Sequence, residues 1–375
     1  MQTSCSLLAT NSPAQLPSSR GFDRSFALGA TGADNWEDKP YLPIYDRADW
    51  YADGKPASLP EKFYSSEFLV DKTIEFIDSN RQDRQPFFAY IPFQAVHIPV
   101  QAPQEFTDKY ADTYLNGWQA LREARQAKLK DLGLIPRDSA MVTMATMGDW
   151  DAQTDEQKRY QAKRMAVYAG MVDAMDFHIG RLIAHLKSID EFDNTVFIFT
   201  SDNGSEATGH NNSRDLYGRA IVKFLGYRND YETLGLKGSM NNIGPSFASA
   251  AASPLAFYKF YAGEGGMRVP LIVAGKPLQL NEKRLSKSFS FVTDISPTII
   301  DIAGAAYPAN AKKLVIGRSL LPLVKGEVQT IYGPDDAVGY ELGGNAALFR
   351  GDYKLVKITG KIADGQWHLY NIAKD

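Results

Sequence analysis

The chain has 375 residues, of which 44% are hydrophobic and 23% are charged, and its formal net charge is −3. This composition is that of a globular protein and excludes a disordered, collagen-like or disulfide-rich chain. The weak negative charge gives no support for nucleic acid or an anionic membrane surface as a partner, and no apolar run is long enough to span a membrane.

Residues 1–60 are rich in Gly, Pro, Asp and Ser and are predicted to form loops. The apolar spacing then predicts a helix over residues 64–80, with Ser65 or Ser66 as its N-cap. Residues 86–93 follow as a short, almost wholly apolar run, which is typical of a strand buried on both faces.

Helices and apolar runs alternate through the middle of the chain. Helical spacing covers residues 104–132 and 155–189, whereas residues 205–258 lack periodicity, as functional loops often do. The other apolar runs, which predict buried strands, are residues 194–200, 269–275 and 289–293, the last of which leads into a helix over 294–303. Strands that alternate with long helices indicate an α/β layered fold with a mostly parallel sheet.

The last part of the chain has a different pattern. Short strand candidates separated by turns lie at residues 338–342, 346–350, 353–358 and 367–370. They predict a small antiparallel subdomain over residues 321–375, packed on a main domain over residues 1–320.

The tripeptide Asp202-Asn203-Gly204 directly follows one of the predicted buried strands. In α/β sheets the functional groups gather at the carboxyl ends of strands. A carboxylate beside an amide oxygen is a pair of hard oxygen ligands, suited to Ca²⁺ or Mg²⁺. The same tripeptide is also a favoured turn sequence, and both interpretations stay open at this point.

Two cationic or titratable side chains are further candidates. His97 comes just after the apolar run 86–93, where an imidazole can donate to an anion or protonate a leaving group, or can simply pack as a structural residue. Lys259 precedes Glu264-Gly265-Gly266, and a lysine held near a metal can bind a sulfate or phosphate oxygen, although an isolated lysine is usually a solvated surface residue.

Other charged groups have simpler interpretations. Asp335-Asp336 follows Gly-Pro and is predicted to form a turn. His178 lies within the long helical stretch and is predicted to pack there or face solvent. His210 lies in a Gly/Asn/Ser-rich loop and receives no role.

The order and spacing of several segments resemble the sulfatase family of the alkaline-phosphatase-like superfamily, and bacterial arylsulfatases most closely. The stretch His-Ile-Pro-Val-Gln-Ala-Pro from His97 is similar to the family's His-x-Pro-Leu-Gln-Ala-Pro, and Lys259 stands five residues before Glu-Gly-Gly-Met-Arg-Val-Pro as the family pattern requires. The matching segments are residues 21–26, 97–103, 168–176, 200–204, 259–270, 294–298 and 367–371.

The resemblance implies an alkaline-phosphatase-like layered fold with a large, mostly parallel sheet between helices, and hydrolysis of a small sulfate ester. It implies that Asp202 and Asn203 are calcium ligands, with Mg²⁺ the less fitting ion, and that His97 and Lys259 contact the sulfate group. It also implies a periplasmic or cytoplasmic location in a bacterium, and it implies neither nucleic acid nor a membrane span.

The sequence departs from the family at the nucleophile. Family members carry a Cys- or Ser-x-Pro-x-Arg motif whose first residue becomes formylglycine, but Cys5, the single cysteine, is followed by Ser-Leu-Leu-Ala. Residues 17–20, Pro-Ser-Ser-Arg, are preceded by Gln15 where the motif needs Cys or Ser. The family's strand ending in two aspartates and its Gly-Lys-Trp-His-Leu strand are also absent, since Trp367-His368-Leu369 lies in the tail.

These departures predict a chain shortened at its amino end, which we expect to fold poorly or to aggregate in isolation because neighbouring strands would lose their partners. Three functions stay open: a sulfate ester hydrolase that is incomplete or inactive in this form, a phosphate or phosphonate ester hydrolase of the same superfamily, and a non-catalytic remnant that only binds a metal or an anion.

Overall fold

The computed structural model describes residues 13–29, 32–208, 220, 222–280, 285–307, 315–360 and 362–374. The chain divides into two compact units, each assembled from separate stretches of sequence. The first unit comprises Met1–Glu123, Thr146–Ile189 and Glu206–Ala251, and the second comprises Ala124–Ala145, Asp190–Ser205 and Ala252–Asp375. The predicted division between residues 320 and 321 stays a prediction.

Helices α1 to α5 are, in chain order, Ser65–Asn80, Gln104–Asp108, Gly117–Asp131, Asp155–Ser188 and Gly244–Ala252. The long helix α4 confirms the prediction for residues 155–189. It begins at a capping box in which the Thr154 hydroxyl accepts from the Gln157 N–H, while the Gln157 side chain accepts from the Thr154 N–H. No helix in the described ranges is both long enough and apolar enough to cross a membrane.

The predicted N-cap of α1 is wrong. The capping position is Tyr64, whose side chain makes no capping hydrogen bond, and Ser65 and Ser66 are buried inside the first turn. The Ser65 hydroxyl instead donates to the Asn35 side-chain oxygen at 2.5 Å. A tertiary hydrogen bond has therefore replaced the local capping bond that the sequence suggested.

The core of the first unit packs α4 against the segment that follows His97. Val167 and Met171 of α4 belong to one buried cluster with Ile98, Val100 and Ala102. The remaining members of this cluster are Tyr41, Val222, Tyr227, Leu234 and Met240. Burial of so many apolar side chains fixes the backbone on both sides of residue 97, because a displaced side chain would leave a cavity.

The predicted large parallel sheet is not formed by the described residues. Strands β1 to β3, Phe26–Leu28, Trp50–Ala52 and Lys55–Ala57, make a small antiparallel sheet in the first unit. In the second unit β4, Phe197–Thr200, pairs with β5, Leu271–Ala274, and this pair is also antiparallel.

The antiparallel direction of β4 and β5 has a local cause. Residues 204–205, just beyond the end of β4, are hydrogen-bonded to residues 259 and 266, just before β5 begins. The chain therefore enters β5 at the end where it leaves β4, whereas a parallel pair would need a crossover back to the opposite end.

The antiparallel C-terminal sheet was predicted correctly. Strands β6 to β9, Ala337–Leu342, Asn345–Arg350, Tyr353–Lys357 and Trp367–Asn371, pair in sequence order as a meander. Gly343 and Gly344 make the first turn with φ of 60° and 83°, which glycine adopts without steric cost. Helices α6, α7 and α8 of the same unit are Glu264–Met267, Ile295–Ile302 and Leu321–Lys325.

Two predicted buried strands are wrong. Residues 289–293 end in a short 3₁₀ turn, and residues 86–93 form neither a helix nor a strand. Phe88 and Tyr90 in the second run are 57% and 51% exposed. The apolar composition of such a run indicates a tendency to be buried, but these side chains stay largely exposed in the fold.

We expect the isolated chain to self-associate through residues 86–93, because a run of exposed apolar side chains favours contact with another chain. Light scattering on the purified chain should detect soluble aggregates, and Phe88→Ser should reduce them. Phe224→Ser is the matched control, since Phe224 is exposed but lies outside this apolar run. A monodisperse wild-type chain that unfolds cooperatively would contradict this prediction.

Candidate anion and metal site

The loop that leaves β4 is held against residues 263–266 by close backbone contact. The Gly204 N–H donates to the Gly266 carbonyl oxygen at 2.9 Å. A Cβ on Gly204 would lie only 1.8 Å from the Gly265 carbonyl oxygen, so no side chain fits at residue 204. This explains why glycine follows Asp202 and Asn203, and it excludes a simple exposed turn as the whole account of the tripeptide.

Lys259 belongs to the same arrangement. Its N–H donates to the Ser205 carbonyl oxygen at 3.0 Å, which places its backbone beside the β4 loop. The residue is only 7% exposed, and its ammonium lies 5.4 Å from the centre of the Phe260 ring. Because burying an ammonium is costly unless anions or acceptors surround it, the surface-lysine interpretation does not hold.

Asp202 and Asn203 have the exposure that ligands of an added ion need. Asp202 is exposed and Asn203 is partly exposed, and the Ser201 hydroxyl donates to the Asn203 backbone oxygen at 2.9 Å. Within the described ranges no hydrogen bond or ion pair engages the Asp202 carboxylate. Two hard oxygen groups on one short loop fit part of a calcium coordination sphere.

Among the residues that the structure describes, no group of three or more His, Cys, Asp or Glu side chains is arranged to hold a metal ion. Asp202 and Asn203 would supply only two ligands, whereas Ca²⁺ takes six to eight oxygens.

His97 lies in the first unit and is held by its own neighbours. Its Nδ1 is 2.8 Å from the Ile98 carbonyl oxygen, so Nδ1 carries the hydrogen and donates it. Its backbone N–H donates to the Gln94 carbonyl oxygen, and the Tyr41 ring meets the imidazole edge-on at 5.5 Å between centroids. These contacts fix the position of the imidazole ring within the first unit.

A buried polar network supports the segment after His97. Gln101 is fully buried, and its amide nitrogen donates to Asp34 at 2.6 Å and to the Ser239 carbonyl oxygen at 2.8 Å. Its amide oxygen accepts from the Asn35 N–H at 2.7 Å, and the Asn35 side chain donates to the Pro99 carbonyl oxygen at 2.9 Å. Sequence reasoning assigned no role to Asp34 or Asn35; only Gln101, within the His97 motif, pointed toward this region.

Asp34 is a fully buried carboxyl group in that network. Burial raises its pKa from 3.8 to about 6, against the opposing effect of the hydrogen bonds from Gln101 and the Trp36 N–H. The folded chain therefore holds this proton more tightly than the unfolded chain does.

We predict that stability falls as the pH rises through this range. Below pH 3.8 both states are protonated, whereas above about 6 the folded state carries a buried charge, which removes about 3 kcal/mol from the free energy of unfolding. Urea unfolding of wild type and Asp34→Asn at a series of pH values measures the difference. The variant should lack this pH dependence, and parallel curves for the two proteins would contradict the assignment.

His178 and Asp336, which were predicted to be structural residues, have structural roles in the fold. His178 of α4 is buried, and its Nδ1 lies 3.1 Å from an Arg181 side-chain nitrogen, so it is a packing residue of the helix. Asp336 closes a turn on Gly333 and pairs with Arg318. His210 lies outside the described residues.

Comparison of the sequence with known proteins shows which family it resembles. The sequence profile of the sulfatase family matches residues 2–305. An uncharacterized sulfatase of Schizosaccharomyces pombe is 36% identical over 380 residues, which cover 97% of this chain and 67% of the relative. An arylsulfatase of Klebsiella aerogenes is 31% identical over 316 residues, covering 83% of this chain and 66% of the relative.

A solved structure shares the fold. The crystal structure of Ps i-CgsB in complex with k-i-k-neocarrahexaose superposes with a TM-score of 0.60 at 22% identity, covering 96% of this chain and 62% of that one. The fold is accordingly of the alkaline-phosphatase-like α/β class. Within that class, the chain belongs to the sulfatase family. It spans about two thirds of the length of the relatives that it matches.

Proposed function

We propose that this chain forms the sulfate-binding part of a sulfate ester hydrolase of the arylsulfatase type. The observation that carries the proposal is the backbone clamp between residues 204–205 and residues 259–266, which attaches the segment of the buried Lys259 to the loop that carries the oxygen side chains of Asp202 and Asn203. Family membership supports the same conclusion, because the residues of the clamp lie within the span matched by the sulfatase profile.

Each candidate side chain has a distinct role in this proposal. Asp202 and Asn203 hold Ca²⁺, which when bound neutralises charge on the sulfuryl oxygens. Lys259 adds a second positive charge fixed by its burial, and such fixed charges stabilise a transition state that spreads negative charge over oxygens. For His97 the proposed contact with the sulfate group rests on its sequence motif alone.

The nucleophile is not assigned to any residue of this sequence. Cys5 lacks the proline and arginine that accompany a formylglycine precursor in the family. We therefore propose binding roles for Asp202, Asn203, Lys259 and His97, and turnover only where a segment carrying the Cys- or Ser-x-Pro-x-Arg motif is also present.

Two measurements test the proposal. The chain itself should bind Ca²⁺ and sulfate in calorimetric titrations. A chain extended at its amino end by a segment that carries the Cys-x-Pro-x-Arg motif should cleave 4-nitrophenyl sulfate in preference to 4-nitrophenyl phosphate. Preference for the phosphate ester would support the phosphate hydrolase instead, and binding without turnover in a folded, formylglycine-containing extended chain would support a non-catalytic anion binder.

Replacing Lys259 should weaken sulfate binding. Lys259→Ala removes a buried positive charge, and we expect the dissociation constant for sulfate to rise about tenfold to a hundredfold, because a charge-assisted contact contributes about 1.5–3 kcal/mol. Titration calorimetry in the presence of Ca²⁺ measures the change. Lys325→Ala, at an exposed position of the same unit, is the control; equal affinities for the two variants would remove Lys259 from the site.

A further inference from the structure

A second lysine, Lys354, is buried in a position that neither the sequence motifs nor the proposed function explains. It lies on β8, and its side chain is only 2% exposed. Its neighbours on the sheet, Phe349 and Val356, belong to an apolar cluster of the second unit. A lysine among such residues is costly to bury, so its ammonium must have strong partners.

The Lys354 ammonium donates its hydrogen bonds to residues 256–267, which we name the Lys259 segment. Lys354 Nζ donates to the Glu264 carboxylate at 2.7 Å and to the Ala262 carbonyl oxygen at 2.6 Å. The ammonium also lies 4.9 Å from the centre of the Phe349 ring. Burial lowers the pKa of Lys354 below its ordinary value, and the Glu264 carboxylate opposes this shift, as expected for an ammonium held by an ion pair.

The Lys259 segment has a backbone that needs such support. Phe257 and Phe260 adopt positive φ values of 68° and 80°, which cost free energy in residues with a side chain. Gly265 and Gly266 leave no room for a Cβ, because it would lie 2.2 Å and 2.3 Å from backbone oxygens of the segment itself. A strained, tightly turned segment keeps one conformation only when surrounding contacts fix it.

The segment fixed by Lys354 is also the one that sets the proposed site. Lys259 bonds through its N–H to Ser205, and Gly266 accepts from Gly204, so both ends of the segment contact the loop that carries Asp202. The Lys354 bonds reach Ala262 and Glu264, which lie between these two contacts.

We infer that Lys354 is a positioning residue, which holds the Lys259 segment so that the Lys259 ammonium and the 202–203 loop keep their relative geometry. The C-terminal sheet then acts as the rigid support of the anion site. This inference rests on the proposed function for its consequence in sulfate binding, while the positioning itself is measured independently of that function.

The test compares Lys354→Met with wild type in the full 375-residue chain. Hydrogen exchange should show protection of the Gly204 and Lys259 amides falling at least about tenfold, with little change in the amides of β6 and β7. In the presence of Ca²⁺, the dissociation constant for inorganic sulfate should rise by a similar factor. Lys354→Arg, which keeps the charge, should restore part of both, and Lys357→Met on the opposite face of β8 should change neither.

A second variant keeps the test decisive if Lys354→Met does not fold. Glu264→Gln retains the side-chain volume and weakens the ion pair with Lys354, together with the longer contact to Arg268, and it should show a smaller change of the same local kind. Uniform loss of protection across the second unit, or unchanged protection at residues 204 and 259, would overturn the positioning role. A wild-type chain that fails to bind sulfate would refute the proposed function, yet the exchange result would still decide the role of Lys354.

Discussion

Asp202→Ala should abolish measurable calcium binding by this chain. The substitution removes the only carboxylate of the 202–203 pair, and affinity for Ca²⁺ depends steeply on the number of charged oxygen ligands. We expect the dissociation constant to rise at least about 100-fold. Because Asp202 is exposed and makes no described hydrogen bond or ion pair, the folded state should keep its stability without the metal. Isothermal titration with Ca²⁺, alongside thermal unfolding with and without Ca²⁺, measures both quantities.

Asp301→Ala is the matched control for Asp202→Ala. Asp301 is also exposed and belongs to the same unit, but it lies in α7 and outside the clamp. Its replacement should leave both calcium affinity and the calcium-induced rise in Tm unchanged. Normal calcium occupancy in Asp202→Ala, or an equal loss in the two variants, would exclude Asp202 as a ligand.

Local patterns predicted the elements whose interactions are local. The capping residue Thr154 and the apolar spacing that follows it define α4, because a helix satisfies its own backbone and needs only one face buried. The strands of the C-terminal meander were also located to within a residue, since each pairs with its neighbour in sequence, the first three across two-residue turns. Contacts close in sequence leave their signature in a short window.

Strand direction and strand burial could not be predicted from the local sequence in this way. The runs at 86–93 and 194–200 are both rich in apolar residues, yet the second contains a strand that pairs in a sheet and the first does not. The difference depends on partners far along the chain, such as β5, which is separated by 70 residues from the end of β4 at Thr200. Composition measures only the tendency to leave water, and it carries no information about which strand arrives or from which end.

The residues of the candidate site also differ in whether the sequence could reveal them. Asp202, Asn203, Lys259 and His97 were identified by motif, because the chemistry of a ligand or an anion contact restricts residue type. The supporting groups Asp34 and Lys354 were missed, since a lone aspartate or lysine in a sequence usually belongs to the surface. Only their burial in the folded chain reveals that each is an ionisable group held inside a hydrogen-bonded network.

Gly204→Ala should disrupt the site more completely than loss of any single ligand. The added methyl group would lie 1.8 Å from the Gly265 carbonyl oxygen and 3.0 Å from the Gly266 Cα, and backbone atoms cannot rotate away as a side chain can. The β4 loop must therefore move off the Lys259 segment, breaking the Gly204 to Gly266 hydrogen bond. We expect about 3 kcal/mol of destabilisation from overpacking, and about 100-fold weaker sulfate binding from the displaced geometry.

Gly339→Ala separates this effect from the general consequence of replacing glycine. Gly339 lies in β6 of the same unit, and a Cβ there would meet no atom within 4 Å. Its replacement should be neutral or slightly stabilising, because alanine restricts the unfolded chain without a native clash. Urea unfolding and sulfate titration of the two variants decide the matter. If Gly204→Ala behaves like Gly339→Ala, the β4 loop does not need close backbone contact with residues 265–266, and the clamp is not what orders the anion site.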